Sequence, residues 1–198
     1  MLDPITISSI LRTIAFPALI SMGMVQLMIA GEIDLSTAAV MSFCAVLSAK
    51  LIKDFNFEVP EAVIIALLCS LLIGCVNAFL TVKIGIFSVI ATIGTGFVVR
   101  GLSYSFTNGV PIYPMPESFA LLGSLRPLNI SFTFFLMLAV AFFVQLLLTS
   151  TKWGTAIYAT GSNRQAAEVS GINTFKVKLI CFMATSFLSG CAGLLTMS

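Results

Sequence analysis

The sequence contains no histidine, and only 9% of its 198 residues are charged. Histidine is the commonest general base and the commonest metal ligand, so its absence removes the usual centre of an acid–base or metal site. Soluble domains carry about 25% charged residues, and a content this low excludes an ordinary soluble fold. The net charge of +2, without a basic stripe interleaved with aromatic residues, gives no indication of nucleic-acid binding.

Other chemical motifs are missing as well. There is no Walker A phosphate loop, so any ATP-driven process would need a separate nucleotide-binding chain. No nucleophile–base pair or carboxylate pair has catalytic spacing. The cysteines lie in apolar runs without metal-ligand spacing and are expected to be buried free thiols: Cys44, Cys69, Cys75, Cys181 and Cys191. We therefore predict no catalytic residue, no metal site and no cofactor in this chain.

The sequence is rich in apolar residues, since 59% of its residues are hydrophobic. A helix needs about 20 apolar residues to cross a bilayer. Six apolar runs approach this length: 14–30, 36–52, 61–82, 86–106, 130–149 and 178–198. They predict an all-α polytopic membrane protein with about six transmembrane helices in a single domain, 1–198. The preceding segment, 1–13, lacks the features of a signal peptide and is interpreted as an amphipathic lead-in at the membrane interface.

The orientation is predicted from the most polar connection, residues 151–177. Its basic residues outnumber its one acid, Glu168, and basic connections favour the cytoplasmic side. Alternation of the spans then places Lys83 inside, and 53–60 and 107–129 outside. Four prolines predict that 107–129 is irregular. Because the chain starts outside without an earlier span and ends within an apolar run, we expect it to be a piece of a longer protein.

A short helix is predicted within this connection, at about 163–170. Ser162 and Gln165 have the spacing of a capping box, and Gly171 provides a left-handed stop. The small residues Ala166 and Ala167 would let another protein approach closely. The helix is therefore interpreted either as a docking site for a cytoplasmic partner or as a plain surface link between two spans, and the residues alone favour neither.

A second group of polar residues interrupts the apolar runs. Glu32 and Asp34 lie between the first two runs, where Asp34 or Ser36 can cap the second helix. Ionisable groups at membrane depth are costly, and short interrupted segments often line a transport path. The alternative is a simple cap in a tight turn. Asn77 and Arg100 also fall within spans, where an amide can bond across helices and an arginine can reach the interface.

Three segments together resemble the ribose/xylose/galactose-type permeases of ATP-binding-cassette (ABC) transporters. The first is Gly31-Glu32-Ile33-Asp34-Leu35-Ser36, although that family usually has glycine where Glu32 stands. The second is Arg100-Gly101 followed by Thr107-Asn108-Gly109-Val110-Pro111. The third runs from Gly154 to Gly171 and includes Gly161-Ser162-Asn163. They occur in the family's order, and the resemblance covers essentially the whole chain.

The resemblance implies a monosaccharide importer subunit of the inner membrane, with a fold similar to that of the vitamin B12 importer. Its expected partners are a cytoplasmic ATPase on the 151–177 loop, a periplasmic sugar-binding protein, a second permease subunit, identical or not, and the lipid bilayer. The candidate ATPase-coupling residues are Gly161, Ser162, Asn163, Gln165, Ala166, Ala167, Ser170 and Gly171. The candidate residues of the translocation path are Glu32, Asp34, Asn77 and Arg100.

Two other functions stay open at the level of the sequence. An ion-coupled secondary transporter would need a site for its coupling ion, for which Glu32 and Asp34 are the candidates. A structural membrane protein would need no path at all.

Overall fold

The computed structural model describes residues 4–110, 112 and 131–197, and this part of the chain is built of helices without a strand. The helices are α1 Pro4–Ile29, α2 Thr37–Phe55, α3 Val59–Ala78, α4 Ser88–Thr107, α5 Phe132–Ser150, α6 Lys152–Ser162, α7 Arg164–Val169 and α8 Thr174–Met197. A single π-helical turn, Phe79–Lys83, continues α3. The prediction of an all-α protein is confirmed.

Each of the six predicted apolar runs lies in a separate helix. Five of these helices are long and apolar enough to cross a membrane, namely α1, α3 with its π-helical turn, α4, α5 and α8. Helix α2 also has 19 residues, but it carries Lys50, Lys53 and Asp54 in its last two turns and does not reach the same apolar character. The chain is a multi-pass membrane protein.

Helices α1, α3 and α8 begin earlier than the apolar runs predict, α3 by only two residues. Helix α1 is described from Pro4, so residues 4–13 of the predicted interfacial lead-in are its first turns. Proline is tolerated there because the first amides of a helix have no partner within it. Helix α8 starts at Thr174, since the side-chain oxygen of Asn173 accepts a hydrogen bond of 2.9 Å from the amide of Lys176 and caps the helix.

Helix α8 forms the centre of the bundle and packs against α1, α2 and α3. Its apolar stretch is 56% buried, against 22–28% for the other four spans. Small residues allow this packing. Because lipid tails are as apolar as the helices, the hydrophobic effect does not drive helix association in a bilayer, and close van der Waals contact is needed instead. A Cβ on Gly193 would lie 2.0 Å from the carbonyl oxygen of Met41 in α2. A Cβ on Gly74 of α3 would lie 2.9 Å from Cα of Met183.

Three connections gather at one end of the bundle, which we call the loop end: 30–36, 79–87 and 151–173. Glu32 of the first connection pairs with Lys178 beyond the third. The ammonium group of Lys83 lies 5.2 Å from the ring centre of Phe175. Lys83 and the polar loop are therefore on the same side, as the predicted alternation requires.

At the opposite end, helix α4 finishes at Thr107 with Asn108 in the left-handed conformation. The irregular structure predicted for the rest of 107–129 falls almost entirely outside the described residues. The five cysteines are free, as predicted, but only Cys44 and Cys181 are buried, whereas Cys69, Cys75 and Cys191 are partly exposed.

Candidate transport path and docking surface

The link between α1 and α2 is an extended segment that runs alongside α4 and is not a tight surface turn. Gly31 has a φ of 84° and turns the chain out of α1. The amides of Ile33 and Leu35 then donate to the hydroxyl oxygens of Ser88 and Thr92, at 3.4 and 3.0 Å. These acceptors are one helical turn apart on α4. The extended backbone thus finds partners among the helices, which irregular backbone at this depth requires.

A buried polar cluster lies where this segment ends, and it consists of Asp34, Ser36, Asn77 and Thr95. Asp34 Oδ1 accepts from the amide and the hydroxyl of Ser36, at 2.8 and 2.6 Å. The amide group of Asn77 donates to Asp34 Oδ2 at 3.3 Å and to Ser36 Oγ at 2.9 Å. Thr95 Oγ1 donates to Asn77 Oδ1 at 2.6 Å. The cluster ties the start of α2 to the end of α3 and the middle of α4.

Asp34 is the charged member of this cluster and is fully buried. Within the described residues no cation pairs with it, so neutral donors alone satisfy its carboxylate. Neither of the two predicted caps bonds to an amide of α2: Ser36 is the N-cap residue without a side-chain capping bond, and Asp34 accepts from the amide of Ser36 itself.

The other two predicted path residues lie elsewhere. Glu32 Oε1 is 2.5 Å from Lys178 Nζ, and these side chains are only 13% and 10% exposed. Arg100 is exposed near the opposite end, beside a cavity of about 510 Å³ that Tyr104 and Thr107 also line. Of the four residues, the structure therefore joins only Asp34 and Asn77.

The sequence interpretation did not include Thr95 or Lys178 among the residues of these contacts. The hydroxyl residues Ser88, Thr92 and Thr95 were the available signal, since they recur every three to four residues on one side of α4.

The polar loop contains two helices, α6 and α7, of which only the second was predicted. Thr151 caps α6, because its hydroxyl oxygen accepts from the amide of Gly154 at 3.1 Å. The predicted capping box of Ser162 and Gln165 is wrong. Ser162 is the last residue of α6, and the extended residue Asn163 caps α7 by accepting from the amide of Ala166 at 3.0 Å.

The end of α7 agrees with the prediction. Gly171 has a φ of 82°, and its amide donates to the carbonyl oxygen of Glu168 at 3.0 Å. The amide of Ile172 then donates to the carbonyl oxygen of Ala167, also at 3.0 Å. This left-handed turn follows Ser170 and satisfies carbonyl groups that the helix end leaves open.

The two alanines of α7 face in different directions. Ala166 is exposed, whereas Ala167 is only 3% exposed and packs inside the chain. Ala167 therefore cannot face a partner, in contrast to the sequence prediction. The neighbouring Val169 is 91% exposed, and with Gln165 and Ala166 it forms what we call the α7 surface.

Glu168 connects α7 to α8. Its Oε1 accepts from Thr174 Oγ1 at 2.6 Å and from Arg164 Nε at 2.9 Å. The hydrogen bond from Thr174, and then that from Arg164, hold the pKa of Glu168 below its ordinary value of 4.5. The carboxylate is thus ionised at neutral pH. Any stability that it gives is present above that ordinary value and is lost as the pH falls through the lowered pKa.

Gly161 connects α6 to α1. A Cβ at Gly161 would lie on the carbonyl oxygen of Ile29, so the two backbones touch directly. Among the predicted coupling residues, Gly161 is therefore a packing position against the end of α1.

The Glu32–Lys178 pair gives a testable prediction. Removing one charge of a mostly buried pair leaves the other without a partner, so Glu32→Gln and Lys178→Met should each lower the free energy of unfolding by on the order of 3 kcal/mol. The double variant should lose much less than the sum of the two. Reversible unfolding in detergent measures the coupling. The exposed pair Lys50–Asp54 is the control, with an expected effect below about 1 kcal/mol. Additive losses would show that the pair does not act as a unit.

The family described as branched-chain amino acid transport system / permease component matches residues 6–198. The autoinducer 2 import system permease protein LsrC of Escherichia coli (strain K12 / DH10B) is 30% identical over 176 residues, which are 89% of this chain and 51% of LsrC. The ribose import permease protein RbsC of Haemophilus influenzae is 31% identical over 198 residues, covering 97% of this chain and 60% of RbsC.

No solved structure matches the chain, so the likeness to the vitamin B12 importer stays a prediction. The chain spans about half the length of LsrC and three fifths of RbsC. The family match covers nearly all of the chain, and its relatives agree with the resemblance to ribose-type permeases. The chain belongs to the family of permease components of branched-chain amino acid transport systems.

Proposed function

We propose that the chain is part of the transmembrane subunit of an ABC importer that moves a monosaccharide of the ribose, xylose or galactose class across the inner membrane. The family match over residues 6–198 carries this proposal. The names of two relatives, a ribose import permease and an autoinducer 2 import permease, support import as the process. A separate ATPase supplies the energy, and a sugar-binding protein and a second permease subunit complete the importer.

The buried polar cluster supports the location of the transport path. A carboxylate costs free energy at this depth, and residues that bear this cost in membrane proteins usually serve transport. The extended segment places Asp34 and Ser36 between α3 and α4. We infer that the cluster holds the extended segment in place, and that this segment forms part of the wall along which the sugar passes.

The same contacts weigh against the ion-coupled alternative. A coupling ion would need free carboxylate oxygens, and the two acids available are already engaged. Asp34 uses both oxygens to accept from Ser36 and Asn77. Glu32 is paired with Lys178.

The α7 surface supports the docking of the ATPase. It lies at the loop end and presents Val169, an apolar side chain exposed among polar neighbours. Behind it, Glu168 bonds to the first residue of α8, and Lys178 one turn later pairs with Glu32 on the extended segment. We propose that movement of the docked ATPase passes along this route to the polar cluster.

Uptake by proteoliposomes tests the proposed function. The permease is reconstituted with its ATPase and its sugar-binding protein, and uptake of radiolabelled ribose, xylose and galactose is measured. We expect uptake only when ATP is enclosed in vesicles whose permease has its ATPase on the inner side. Uptake that a proton or sodium gradient drives without the ATPase would instead support a secondary transporter. Absence of uptake for all three sugars would contradict the substrate class.

The two alanines of α7 give a matched pair of variants. Ala166→Glu should leave the unfolding temperature unchanged and weaken ATPase association at least tenfold, because the added charge stands on the exposed surface. Ala167→Glu should lower the unfolding temperature, because it buries a charge without a partner. Co-purification of the ATPase and thermal unfolding measure the two effects. If Ala166→Glu binds the ATPase normally, the partner does not contact this surface.

A further inference from the structure

A polar cavity of about 360 Å³ lies at the end opposite the loop end, away from the proposed path. It is enclosed by the first turns of α1, the start of α5 and the end of α8. Its walls are formed by Ser8, Ser9, Arg12, Thr13, Phe16, Ser131 and Thr196. Small-molecule sites commonly occupy 300–1,000 Å³, so the cavity has the size of a ligand site.

Arg12 gives the cavity its charge. It lies six residues into the span Thr6–Ile29, or about 9 Å along the helix axis, a depth close to the polar region of a bilayer. Guanidinium groups are always ionised in proteins. In the described part of the chain no carboxylate pairs with Arg12. A cation at this depth favours an anionic partner.

Ser131 is an independent observation at the same cavity. Ser131 is 2% exposed, and among the described residues its hydroxyl oxygen has no hydrogen-bond partner. Buried hydroxyls are nearly always bonded, so an unpaired one at a cavity wall is available to a ligand or a water molecule. Ser131 precedes α5, a helix of 19 residues, and makes no capping bond to it. The open amides and the dipole of this helix end also favour a negative charge.

We propose that this cavity binds a phosphate group, with Arg12 supplying the charge and Ser131 and the start of α5 supplying hydrogen-bond donors. The group can belong to an anionic phospholipid headgroup or to free phosphate, since both offer the same oxygens. Binding there would fasten α1 to α5 at the membrane surface. The proposal does not depend on transport activity.

The test uses the full chain in nanodiscs of three compositions. The first nanodiscs contain phosphatidylcholine alone in a buffer without phosphate, and the second contain phosphatidylcholine with phosphatidylglycerol. The third sample has the same nanodiscs as the first, with inorganic phosphate added to the buffer. Thermal unfolding and native mass spectrometry of retained lipid are the readouts. We expect phosphatidylglycerol to raise the unfolding temperature and to remain bound, and Arg12→Gln to reduce its retention at least tenfold. Ser131→Ala should reduce retention by a smaller factor.

Two further variants keep the result interpretable. Arg100→Gln removes the exposed arginine of the other cavity at the same end, and it should retain phosphatidylglycerol as the unchanged chain does. Arg12→Lys keeps the charge and should retain part of the binding, which separates loss of the ligand from loss of the fold. An Arg12-dependent shift with phosphate alone would identify the free anion as the ligand. Equal retention by Arg12→Gln and the unchanged chain, without any effect of phosphate, would overturn the proposal.

Discussion

Replacement of Asp34 by alanine is expected to abolish transport and to lower the unfolding temperature by several degrees. The carboxylate accepts from the amide and hydroxyl of Ser36 and from Asn77, and all these groups are buried. A buried donor left without an acceptor costs about 1–3 kcal/mol. The amide of Ser36, the residue before α2, also loses its acceptor, and the extended segment loses its link to α3. Sugar uptake and thermal unfolding in detergent measure the two losses.

Two controls define what the Asp34 result means. Asp34→Asn keeps one acceptor oxygen and the shape of the side chain, so it should lose less stability than the alanine variant. Asp54→Ala removes an exposed carboxylate from the end of α2, where the pair with Lys50 contributes little. We expect Asp54→Ala to be neutral for uptake. If Asp34→Ala keeps wild-type stability and uptake, the buried polar cluster is needed neither for the fold nor for transport.

Gly161→Val is expected to have the second large effect. The backbones of α6 and α1 touch at this point, and a Cβ would lie on the carbonyl oxygen of Ile29. Backbone atoms cannot move aside as a flexible side chain can, so α6 must leave α1. We expect lower stability and loss of ATP-driven uptake, because α6 and α7 are then separated from the bundle. Uptake and thermal unfolding are the measurements.

Gly94→Ala is the matched control for Gly161→Val. A Cβ at Gly94, which lies in the membrane helix α4, would meet no atom within 4 Å. Alanine is a better helix former than glycine by about 1 kcal/mol, so this variant should be neutral or slightly stabilising. Normal uptake in Gly161→Val would show that contact between α6 and α1 is not needed for coupling.

The number and order of the six long helices follow from the sequence because the bilayer imposes them. A span must satisfy its backbone internally and be apolar over about 20 residues, and both conditions are visible in the apolar runs. The positions at which the helices begin and end are harder to predict from the sequence. Asp3, Pro4 and Arg12 make the segment before residue 14 resemble an interfacial lead-in, although the backbone from Pro4 onward is part of one continuous helix.

The candidate sites were predictable only in part, because their contacts join distant residues. Asp34 and Asn77 are recognisable as polar groups in an apolar chain, but their hydrogen bond connects positions 43 residues apart. Ser162 and Asn163 are both capable caps, and the local sequence does not choose between them. Which of Ala166 and Ala167 faces outward depends on how α7 rests on the bundle, which no local pattern of six residues encodes.

Cysteine cross-linking tests the central claim, that the α7 surface docks an ATPase. In a variant without the five native cysteines, Val169→Cys places a thiol on that surface. Val110→Cys places one at the opposite end, where the unmodified side chain is 62% exposed. In membranes that contain the whole importer, we expect a short bifunctional reagent to join position 169 to the ATPase and to leave position 110 unjoined. A cross-link of the ATPase to position 110, or none to position 169 in an importer that still transports, would contradict the account.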